Sequence, residues 1–390
     1  MPKPLNDLLA ASGTTIFTVM SALAMEHAAI NLGQGFPDTE GPHDVVAAAS
    51  AALEDHRNQY PPLTGVPELR AAVAAANRRF WGLEIDPVAG VVVTSGATEA
   101  LAACLMALLN PGDEVIMFEP LYDTYAPVVR LLGAVPVILR LCAPDWALPG
   151  EELEAAFCTR TKAVLLNTPH NPTGKIFSRE ELERIATLCL RHDVYAICDE
   201  VYEHLVFSPA KHLPLMVLEG MAERTLRIGS AGKTFSLTGW KVGYVSGPLP
   251  LMAVVAKAHQ NLTFTTPPNL QRAVAYGLGR EDEYFAGLAD ALAGKRDRIT
   301  AGLRAIGFNV LPADGSYFVI AGFGRFAREG EDDVAFARRL TCEAKVAVIP
   351  VSAFYAQDPP RDMIRFAFCK QDEVLDEALA RLAGYLKPDS

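Results

Sequence analysis

The 390-residue sequence lacks paired cysteines, metal-ligand spacings and an excess of basic residues. None of its seven cysteines forms a C-x-x-C pair, and none of its eight histidines belongs to an H-E-x-x-H motif. We therefore expect reduced core cysteines in a cytoplasmic protein, with neither a disulfide framework nor a metal site. The formal net charge of −11 argues against nucleic acid as the main partner, because binding to phosphates needs a basic face.

Long apolar runs are also missing, and no stretch approaches the length of a membrane span. Residues 8–25, which follow Lys3 and are apolar and rich in alanine, could pass for a secretory signal. Asp7 and the run from Gly13 to Thr15 interrupt the segment. Its apolar residues recur at helical spacing, namely Ile16, Val19, Met20 and Leu23. The pattern therefore predicts a retained amphipathic helix with one buried face, and no membrane partner.

The sequence does contain a regular alternation of short apolar segments and helical segments from Val91 to Val245. Strands are predicted at residues 91–94, 114–118, 135–139, 163–166, 195–198, 226–228 and 242–245. This alternation predicts an α/β protein with a mainly parallel sheet and helices on both faces. After Pro267-Pro268 the pattern changes to long helices up to about Gly307, followed by strands at 317–320, 346–349 and 363–368 and a helix at 372–386. That part indicates a smaller α+β domain.

Polar residues cluster directly after the predicted strands. The first strand leads into Ser95-Gly96-Ala97-Thr98 at a helix N-terminus, where free N–H groups and the helix dipole favour an anion. Other strands lead to Asn171, to Asp199 with Tyr202, and to Ser230 with Lys233. Ligands of such sheets bind beyond the carboxyl ends of the strands. We therefore expect these side chains to share one site.

Lys233 has a competing interpretation, because Gly232-Lys233-Thr234 matches the end of a nucleotide-binding P-loop. That motif requires a glycine where Arg227 stands, so the match fails. The predicted set instead fits pyridoxal 5′-phosphate. The free N–H groups at residues 95–98 and the cation Lys241 suit its phosphate. Lys233 suits its aldehyde, and Asp199 suits its ring nitrogen.

The chain resembles the class I pyridoxal-phosphate-dependent aminotransferases, which have the aspartate aminotransferase fold (fold type I). It is most similar to the branch of kynurenine/glutamine and methionine aminotransferases. The resemblance runs nearly end to end in ordered blocks: 31–38, 58–60, 94–101, 119–127, 166–175, 199–204, 230–243, Gln271, 315–318 and 364–368. It implies a large cofactor-binding domain at residues 41–282 and a small domain formed by residues 1–40 and 283–390.

The resemblance assigns the cofactor site residue by residue. Lys233 resembles the Schiff-base lysine, and Asp199 resembles the partner of the pyridine nitrogen. Asn171 and Tyr202 match the donors to the ring oxygen, and Tyr122 matches the aromatic stacked on the ring. The phosphate ligands implied are Gly96, Ala97, Thr98, Ser230 and Lys241. Tyr60 matches a tyrosine that the neighbouring subunit lends to the phosphate, which implies a homodimer.

The resemblance also implies the substrate side of the site. Arg365 matches the arginine that binds the substrate α-carboxylate, with Gly35, Asn171 and Phe17 as further substrate contacts. Phe17 and Phe36 flank the expected side-chain pocket, and Phe264 is a further candidate. They favour an uncharged L-amino acid, such as methionine, glutamine, an aromatic residue or kynurenine. The expected reaction is ping-pong transfer of its amino group to a 2-oxo acid, with Lys233, Asp199 and Tyr202 as the catalytic residues.

Two alternatives remain open at this point. A cysteine-conjugate β-lyase would use the same lysine and cofactor but would eliminate the β-substituent. The fold is also reused as a non-catalytic, cofactor-sensing domain of transcription regulators. Those proteins carry an N-terminal helix-turn-helix domain. Because the matching blocks here begin near Phe17, we expect no such domain ahead of them.

Overall fold

The computed structural model describes residue 3, residues 5–11 and residues 13–387. The helices within these residues are α1 (Asp7–Ala10), α2 (Ile16–Glu26), α3 (His43–Asp55), α4 (Pro67–Trp81), α5 (Gly96–Leu108), α6 (Tyr125–Leu131), α7 (Gly150–Ala156), α8 (Arg179–His192), α9 (Ala231–Thr234), α10 (Leu249–Leu262), α11 (Pro268–Leu278), α12 (Asp282–Ile306), α13 (Asp333–Arg339) and α14 (Asp372–Tyr385). In the described part of the chain, no helix is long and apolar enough to cross a membrane.

The strands form one large sheet, one small sheet and one short pair. They are β1 (Ile30–Asn31), β2 (Val91–Thr94), β3 (Glu114–Glu119), β4 (Val135–Arg140), β5 (Thr161–Asn167), β6 (Tyr195–Asp199), β7 (Thr225–Ser230), β8 (Gly243–Ser246), β9 (Asn309–Val310), β10 (Phe318–Gly322), β11 (Val346–Ala347), β12 (Ile349–Pro350) and β13 (Met363–Ala367). The large sheet has the order β2-β8-β7-β6-β5-β3-β4. Its strands are parallel except β8, which runs antiparallel to both of its neighbours. The predicted α/β class is therefore confirmed.

The large sheet is buried on both faces, as an apolar parallel sheet must be. Every residue of β2, β3, β7 and β8 is buried. Helix α5 packs against α10 and against β7 and β8. Helix α8 begins with a capping box, in which Ser178 and Glu181 each accept a backbone N–H of the other. These packed elements hold the carboxyl ends of β5, β6 and β7 at one edge of the sheet.

The C-terminal part forms a separate antiparallel sheet in the order β12-β13-β10-β9. Arg365 lies in β13, opposite Ile320 of β10. Near the N-terminus, β1 pairs in parallel with β11, so that Ile30 lies opposite Val346. This pairing fixes the segment that follows β1, residues 33–36, next to the C-terminal sheet.

Several predictions of local structure were wrong. The predicted N-terminal helix is two helices, α1 and α2, because Thr15 caps the second one with its hydroxyl. The strand predicted at 346–349 is divided into β11 and β12, and helices α7, α10 and α13 were not predicted. Of the seven cysteines predicted for the core, Cys142 is exposed and Cys158 and Cys342 are only partly buried.

Candidate active site

A cavity of about 440 Å³ lies at the carboxyl ends of β6 and β7, between the N-terminus of α5 and the segment 33–36. The structure brings together at its walls every predicted site residue except Tyr60 and Phe264, namely Phe17, Gly35, Phe36, Gly96, Ala97, Thr98, Tyr122, Asn171, Asp199, Tyr202, Ser230, Lys233, Lys241 and Arg365. Tyr60 lies outside the cavity, and its side chain is 82 % exposed. The convergence follows from the parallel sheet, since all carboxyl ends of parallel strands meet at the same edge.

The start of α5 forms an anion cup. Gly96 has a φ of +78°, and a Cβ there would come within 3.2 Å of the Lys241 ammonium nitrogen. A Cβ at Gly243 would lie 2.5 Å from the carbonyl carbon of Gly96. Ser230, at the end of β7, faces the same cup and caps α9 by accepting the Gly232 N–H at 3.2 Å. Small residues therefore leave room for an anion against free N–H groups and an ammonium group, which suits a phosphate.

Lys233 extends from the four-residue helix α9 into the cavity. Its amine donates to the Tyr317 hydroxyl at 2.9 Å and lies 5.6 Å from the ring centres of both Tyr202 and Tyr317. Burial disfavours the ammonium form and lowers the pKa of Lys233 to about 8. A neutral amine is the reactive form toward an aldehyde, so this site favours a nucleophilic lysine.

Asp199 ends β6 with a buried carboxylate. Its Oδ2 accepts the Tyr125 hydroxyl at 2.6 Å, and its Oδ1 lies 3.4 Å from the Val201 N–H. Burial raises the pKa of Asp199, and the nearby Lys233 ammonium acts against that rise. A buried carboxylate calls for a cationic partner. A protonated pyridine nitrogen would be such a partner.

Arg365 places a buried guanidinium on the opposite wall. Nη1 donates to Asn171 Oδ1 at 2.9 Å and Nη2 to the Gly33 carbonyl at 2.7 Å, while Nε is buried without a partner among the described residues. Its carbon lies 4.0 Å from the centre of the Phe318 ring. Burial lowers the pKa of Arg365 to about 10. A guanidinium held this way without a carboxylate partner suits a bound carboxylate.

Asn171 and Tyr202 lie between these groups. Asn171 is fixed at both ends, since its backbone N–H donates to Asn167 Oδ1 at 2.7 Å and its own Oδ1 accepts from Arg365. Its Nδ2 is therefore left as the donor of that side chain. Tyr202 is buried, and burial raises the pKa of its phenol, which therefore keeps its proton as a donor. Two donors at this position suit an anionic ring oxygen.

The complete donor set fits pyridoxal 5′-phosphate, as the sequence predicts. The cup suits the phosphate, Asp199 the ring nitrogen, Asn171 and Tyr202 the ring oxygen, and Lys233 the aldehyde. Each of these groups lines the cavity, and this ligand would supply a bonding partner for each of them.

Sequence reasoning missed four polar residues of the site. Tyr125 supports Asp199, Tyr317 contacts Lys233, and Asn167 orients Asn171. Asp123 also lines the cavity, half-buried beside Tyr122, and burial raises the pKa of its carboxyl. A signal for one of them was present, because Asn167 ends its strand directly, like Asp199.

Comparisons with known proteins show what this chain is similar to. The model of the family "Aminotransferase class I and II" matches residues 28–382. The chain is 45% identical to a probable N-succinyldiaminopimelate aminotransferase of Mycobacterium tuberculosis over 95% of this chain and 96% of that protein. It is 39% identical to human kynurenine–oxoglutarate transaminase 3, over 94% of this chain and 87% of that protein. A crystal structure of an Escherichia coli protein with methionine aminotransferase function has a TM-score of 0.95 at 39% identity, over 98% of this chain and all 100% of that one.

Proposed function

Because this chain belongs to the class I and II aminotransferases and is a pyridoxal-phosphate-dependent enzyme, we propose that it transfers the amino group of an uncharged L-amino acid to a 2-oxo acid. The transfer follows a ping-pong order, in which the first oxo acid leaves before the second substrate binds. Methionine, glutamine, aromatic amino acids and kynurenine are the donors proposed.

The cavity residues divide the work of holding the cofactor. Gly96, Ala97, Thr98, Ser230 and Lys241 would hold the phosphate in the cup. Asp199 would pair with the ring nitrogen, Asn171 and Tyr202 would donate to the ring oxygen, and Tyr122 would stack on the ring. Bound there, the cofactor supplies an aldehyde and an electron-accepting pyridinium ring. Tyr125 keeps the Asp199 carboxylate oriented toward that ring.

Lys233 is the proposed general acid and base. Its neutral amine would take the proton from the Cα atom of the substrate, and the ammonium group that results would deliver that proton to the cofactor carbon that carried the aldehyde. The pKa of about 8 suits both directions, because each form of the amine is then populated near neutral pH. Burial also excludes bulk water from the exchanged proton.

Arg365 is the proposed anchor of the substrate α-carboxylate. Its two Nη atoms are already oriented by Asn171 and Gly33, so a planar carboxylate meets a fixed guanidinium. A fixed carboxylate places the Cα–H bond in one position relative to Lys233. Positioning of this kind can supply a large part of the rate enhancement.

One observation carries the preference for uncharged donors. Among the described residues that line the cavity, the Lys and Arg side chains are Lys233, Lys241 and Arg365, and each already has a partner in this proposal. The rest of the substrate side is formed by Phe17, Phe36, Gln34 and the carboxyl of Asp123. A second carboxylate on the substrate would meet no cation there and would approach a like charge.

A panel of amino donors tests this preference. The half-reaction is followed as pyridoxamine phosphate formation with methionine, glutamine, phenylalanine and kynurenine, and with aspartate, glutamate and N-succinyldiaminopimelate, the compound named for the Mycobacterium relative. We expect kcat/KM to be at least about tenfold higher for the uncharged donors, since an unpaired buried charge costs more than 1.4 kcal/mol. A dicarboxylate as the best donor would contradict the proposal.

The same panel separates the β-lyase alternative. A cysteine S-conjugate is added to it, and pyruvate release is compared with oxo-acid release from methionine. Transamination predicts that oxo-acid release predominates. Predominant pyruvate release would reassign the enzyme to β-elimination on the same residues.

We also propose that the protein is a cytoplasmic homodimer in which Tyr60 completes the phosphate cup of the partner. The exposed side chain of Tyr60 and its edge contact with the exposed Phe264, at 5.4 Å between ring centres, support a surface pair available to a second subunit. Seven free cysteines fit a reducing compartment.

The proposed domains are residues 41–282 for the large one and residues 1–40 with 283–390 for the small one. The parallel pairing of β1 with β11 supports joining the N-terminal segment to the C-terminal part. Residues 1, 2, 4, 12 and 388–390 of the proposed small domain lie outside the described residues.

A further inference from the structure

The side chain of Lys233 ends in a short chain of hydrogen bonds that leads to the backbone. Its Nζ donates to the Tyr317 hydroxyl at 2.9 Å, and that hydroxyl lies 2.5 Å from the carbonyl oxygen of Gly35. The direct distance from Nζ to the same carbonyl is 3.5 Å, which is too long for a strong bond. Tyr317 is therefore the main hydrogen-bond partner of the lysine among the described residues.

The direction of each bond in this chain follows from the atoms. A carbonyl oxygen can only accept, so the single proton of the Tyr317 hydroxyl goes to Gly35. The phenol keeps this proton, since burial raises the pKa of Tyr317 far above its ordinary value. Its oxygen then accepts an N–H from Lys233.

We propose that Tyr317 is a positioning residue for Lys233, whose hydroxyl oxygen takes one N–H of the lysine so that the amine lone pair faces the cavity. The proposal rests on the function proposed above, in which Lys233 exchanges the substrate proton. It concerns the stage at which the lysine is not bonded to the cofactor. Without a fixed acceptor, the four-carbon side chain would sample several rotamers at that stage.

The same chain of hydrogen bonds connects Lys233 to Arg365, the proposed anchor of the substrate carboxylate. Gly35 and Gly33 belong to one segment, and the Gly33 carbonyl accepts from Arg365 Nη2 at 2.7 Å. The segment is tightly packed, because a Cβ at Gly35 would collide with the Phe318 ring. The distance between the proton-exchanging amine and the bound carboxylate is therefore held by a single stretch of backbone.

The protonation of Lys233 gives the proposal a measurable consequence. An acceptor oxygen favours the ammonium form, so its removal should lower the pKa of Lys233 further below the value of about 8 that burial already imposes. The other charged or titratable groups that face Lys233 are Asp199, Tyr202, Lys241, Arg365 and Cys369.

The test is Tyr317→Phe, which removes the hydroxyl and keeps the ring that packs edge-on against Tyr202 at 5.3 Å. The first readout is the rate at which apoenzyme captures pyridoxal phosphate as a function of pH. In the wild type we expect a rise with a midpoint near pH 8, and in the variant a midpoint at lower pH. The second readout is the half-reaction with an α-deuterated donor. We expect the half-reaction of Tyr317→Phe to be about tenfold slower than that of the wild type, with a larger primary isotope effect, because the lysine that transfers the proton is no longer oriented.

Two matched variants keep the test decisive. Tyr284→Phe removes another phenol bond to the same helix, since the Tyr284 hydroxyl donates to the Thr234 carbonyl at 2.9 Å without reaching Nζ. Fluorotyrosine at position 317 keeps ring and hydroxyl but weakens the acceptor, and it should shift both readouts in the same direction by less. Unchanged readouts in Tyr317→Phe, or equal changes in Tyr284→Phe, would overturn the proposal.

A separate experiment tests the function on which this proposal rests, namely the role of Lys233 in transamination. Borohydride reduction of the wild-type holoenzyme followed by peptide mapping should find the pyridoxyl group on Lys233. A label on another lysine would refute the role of Lys233 itself, whatever the Tyr317 variants do.

Discussion

Arg365 shows how burial prepares a single side chain for its task. The guanidinium is 1 % exposed and is stacked among the rings of Phe17, Phe318 and Phe354, at 5.3, 4.0 and 4.9 Å from their centres. Its bonds to Asn171 and Gly33 satisfy two donors, and no carboxylate among the described residues lies within ion-pair distance, although the Asp123 carboxyl is near enough to interact with its charge. Such a group gains more from a bound carboxylate than an arginine exposed to water would.

Replacement of Arg365 by lysine should separate substrate binding from cofactor binding. The ammonium group of Arg365→Lys cannot bond side by side to both carboxylate oxygens, and it leaves Asn171 or Gly33 without a donor. We expect kcat/KM of the half-reaction to fall at least about 100-fold, corresponding to about 3 kcal/mol. The dissociation constant of pyridoxal phosphate should stay within about threefold, because Arg365 lies away from the anion cup. Arg298→Lys, in an exposed ion pair with Asp376, is the control. An equal loss of cofactor affinity in Arg365→Lys would contradict this division.

The sequence predicted those site residues that belong to recognisable blocks or end a strand. Lys233, Asp199 and Arg365 were of this kind, and they line one cavity. Tyr125 and Tyr317 also lie in such blocks, 119–127 and 315–318, but their contacts were missed because the partners, Asp199 and Lys233, are 74 and 84 residues away. Such pairings depend on how the chain folds in three dimensions, and local sequence carries no signal for them.

A set of hydrogen bonds through Glu99 and His259, called the tie below, links helices α5 and α10 beneath the anion cup. Glu99 of α5 accepts the backbone N–H of Ser95, and its Oε1 lies 2.6 Å from His259 Nδ1 of α10. His259 Nε2 donates to the Leu63 carbonyl at 3.0 Å. The tie therefore runs from the turn that precedes the cup to the loop that carries Tyr60. All of its polar atoms are satisfied, which is how a buried polar network stabilises a structure.

Loss of this tie should affect stability and cofactor binding together. Glu99→Ala leaves the Ser95 N–H without its acceptor and leaves His259 Nδ1 only the Thr263 hydroxyl at 3.4 Å. Each unsatisfied buried group costs about 1–3 kcal/mol. We expect the free energy of unfolding of the apoenzyme to drop by about 3 kcal/mol in urea titrations, with weaker pyridoxal phosphate binding. Glu68→Ala, which removes a half-exposed ion pair with Arg272, should cost under about 1 kcal/mol. A stability loss with unchanged cofactor affinity would mean that the tie does not shape the cup.

The elements themselves were predictable to the extent that their signals are local. The strands of the large sheet were predicted within two residues at each end, because each is an apolar run bounded by turn residues. Helix α10 was missed, although Met252, Val255 and His259 form its buried side at helical spacing. The division of 346–349 between β11 and β12 depends on different partner strands, β1 and β13, which no local pattern indicates.

The active site is assembled from segments that span almost the full length of the chain. Phe17 and Gly35 come from the N-terminal segment, the cup and Asp199 from the large sheet, and Arg365 from the C-terminal sheet. The proposed substrate site therefore lies between the large sheet and the C-terminal sheet, which share one apolar cluster. In the proposed dimer the second subunit adds one more contribution, Tyr60.

Tyr60 allows that contribution to be tested by subunit complementation. Tyr60→Phe should raise the dissociation constant of pyridoxal phosphate about tenfold, because a hydrogen bond to a charged group contributes about 1.5–3 kcal/mol. Hybrid dimers are then prepared from Tyr60→Phe subunits and Lys233→Ala subunits. If Tyr60 acts across the interface, the site with an intact Lys233 receives an intact tyrosine from its partner. Half of the sites should then regain wild-type affinity and turnover.

The same experiment distinguishes a Tyr60 that acts across the interface from one that acts within its own subunit. If Tyr60 acts within its own subunit, the only sites with an intact lysine retain the Tyr60→Phe defect, and the hybrid shows no recovery of cofactor affinity. Phe264→Ala is the matched control, because it removes the edge contact that orients Tyr60 but no hydroxyl group. It should weaken cofactor binding less than Tyr60→Phe does. A hybrid that stays as weak as the Tyr60→Phe homodimer would therefore rule out the shared cup, while the assignment of Lys233 would stand.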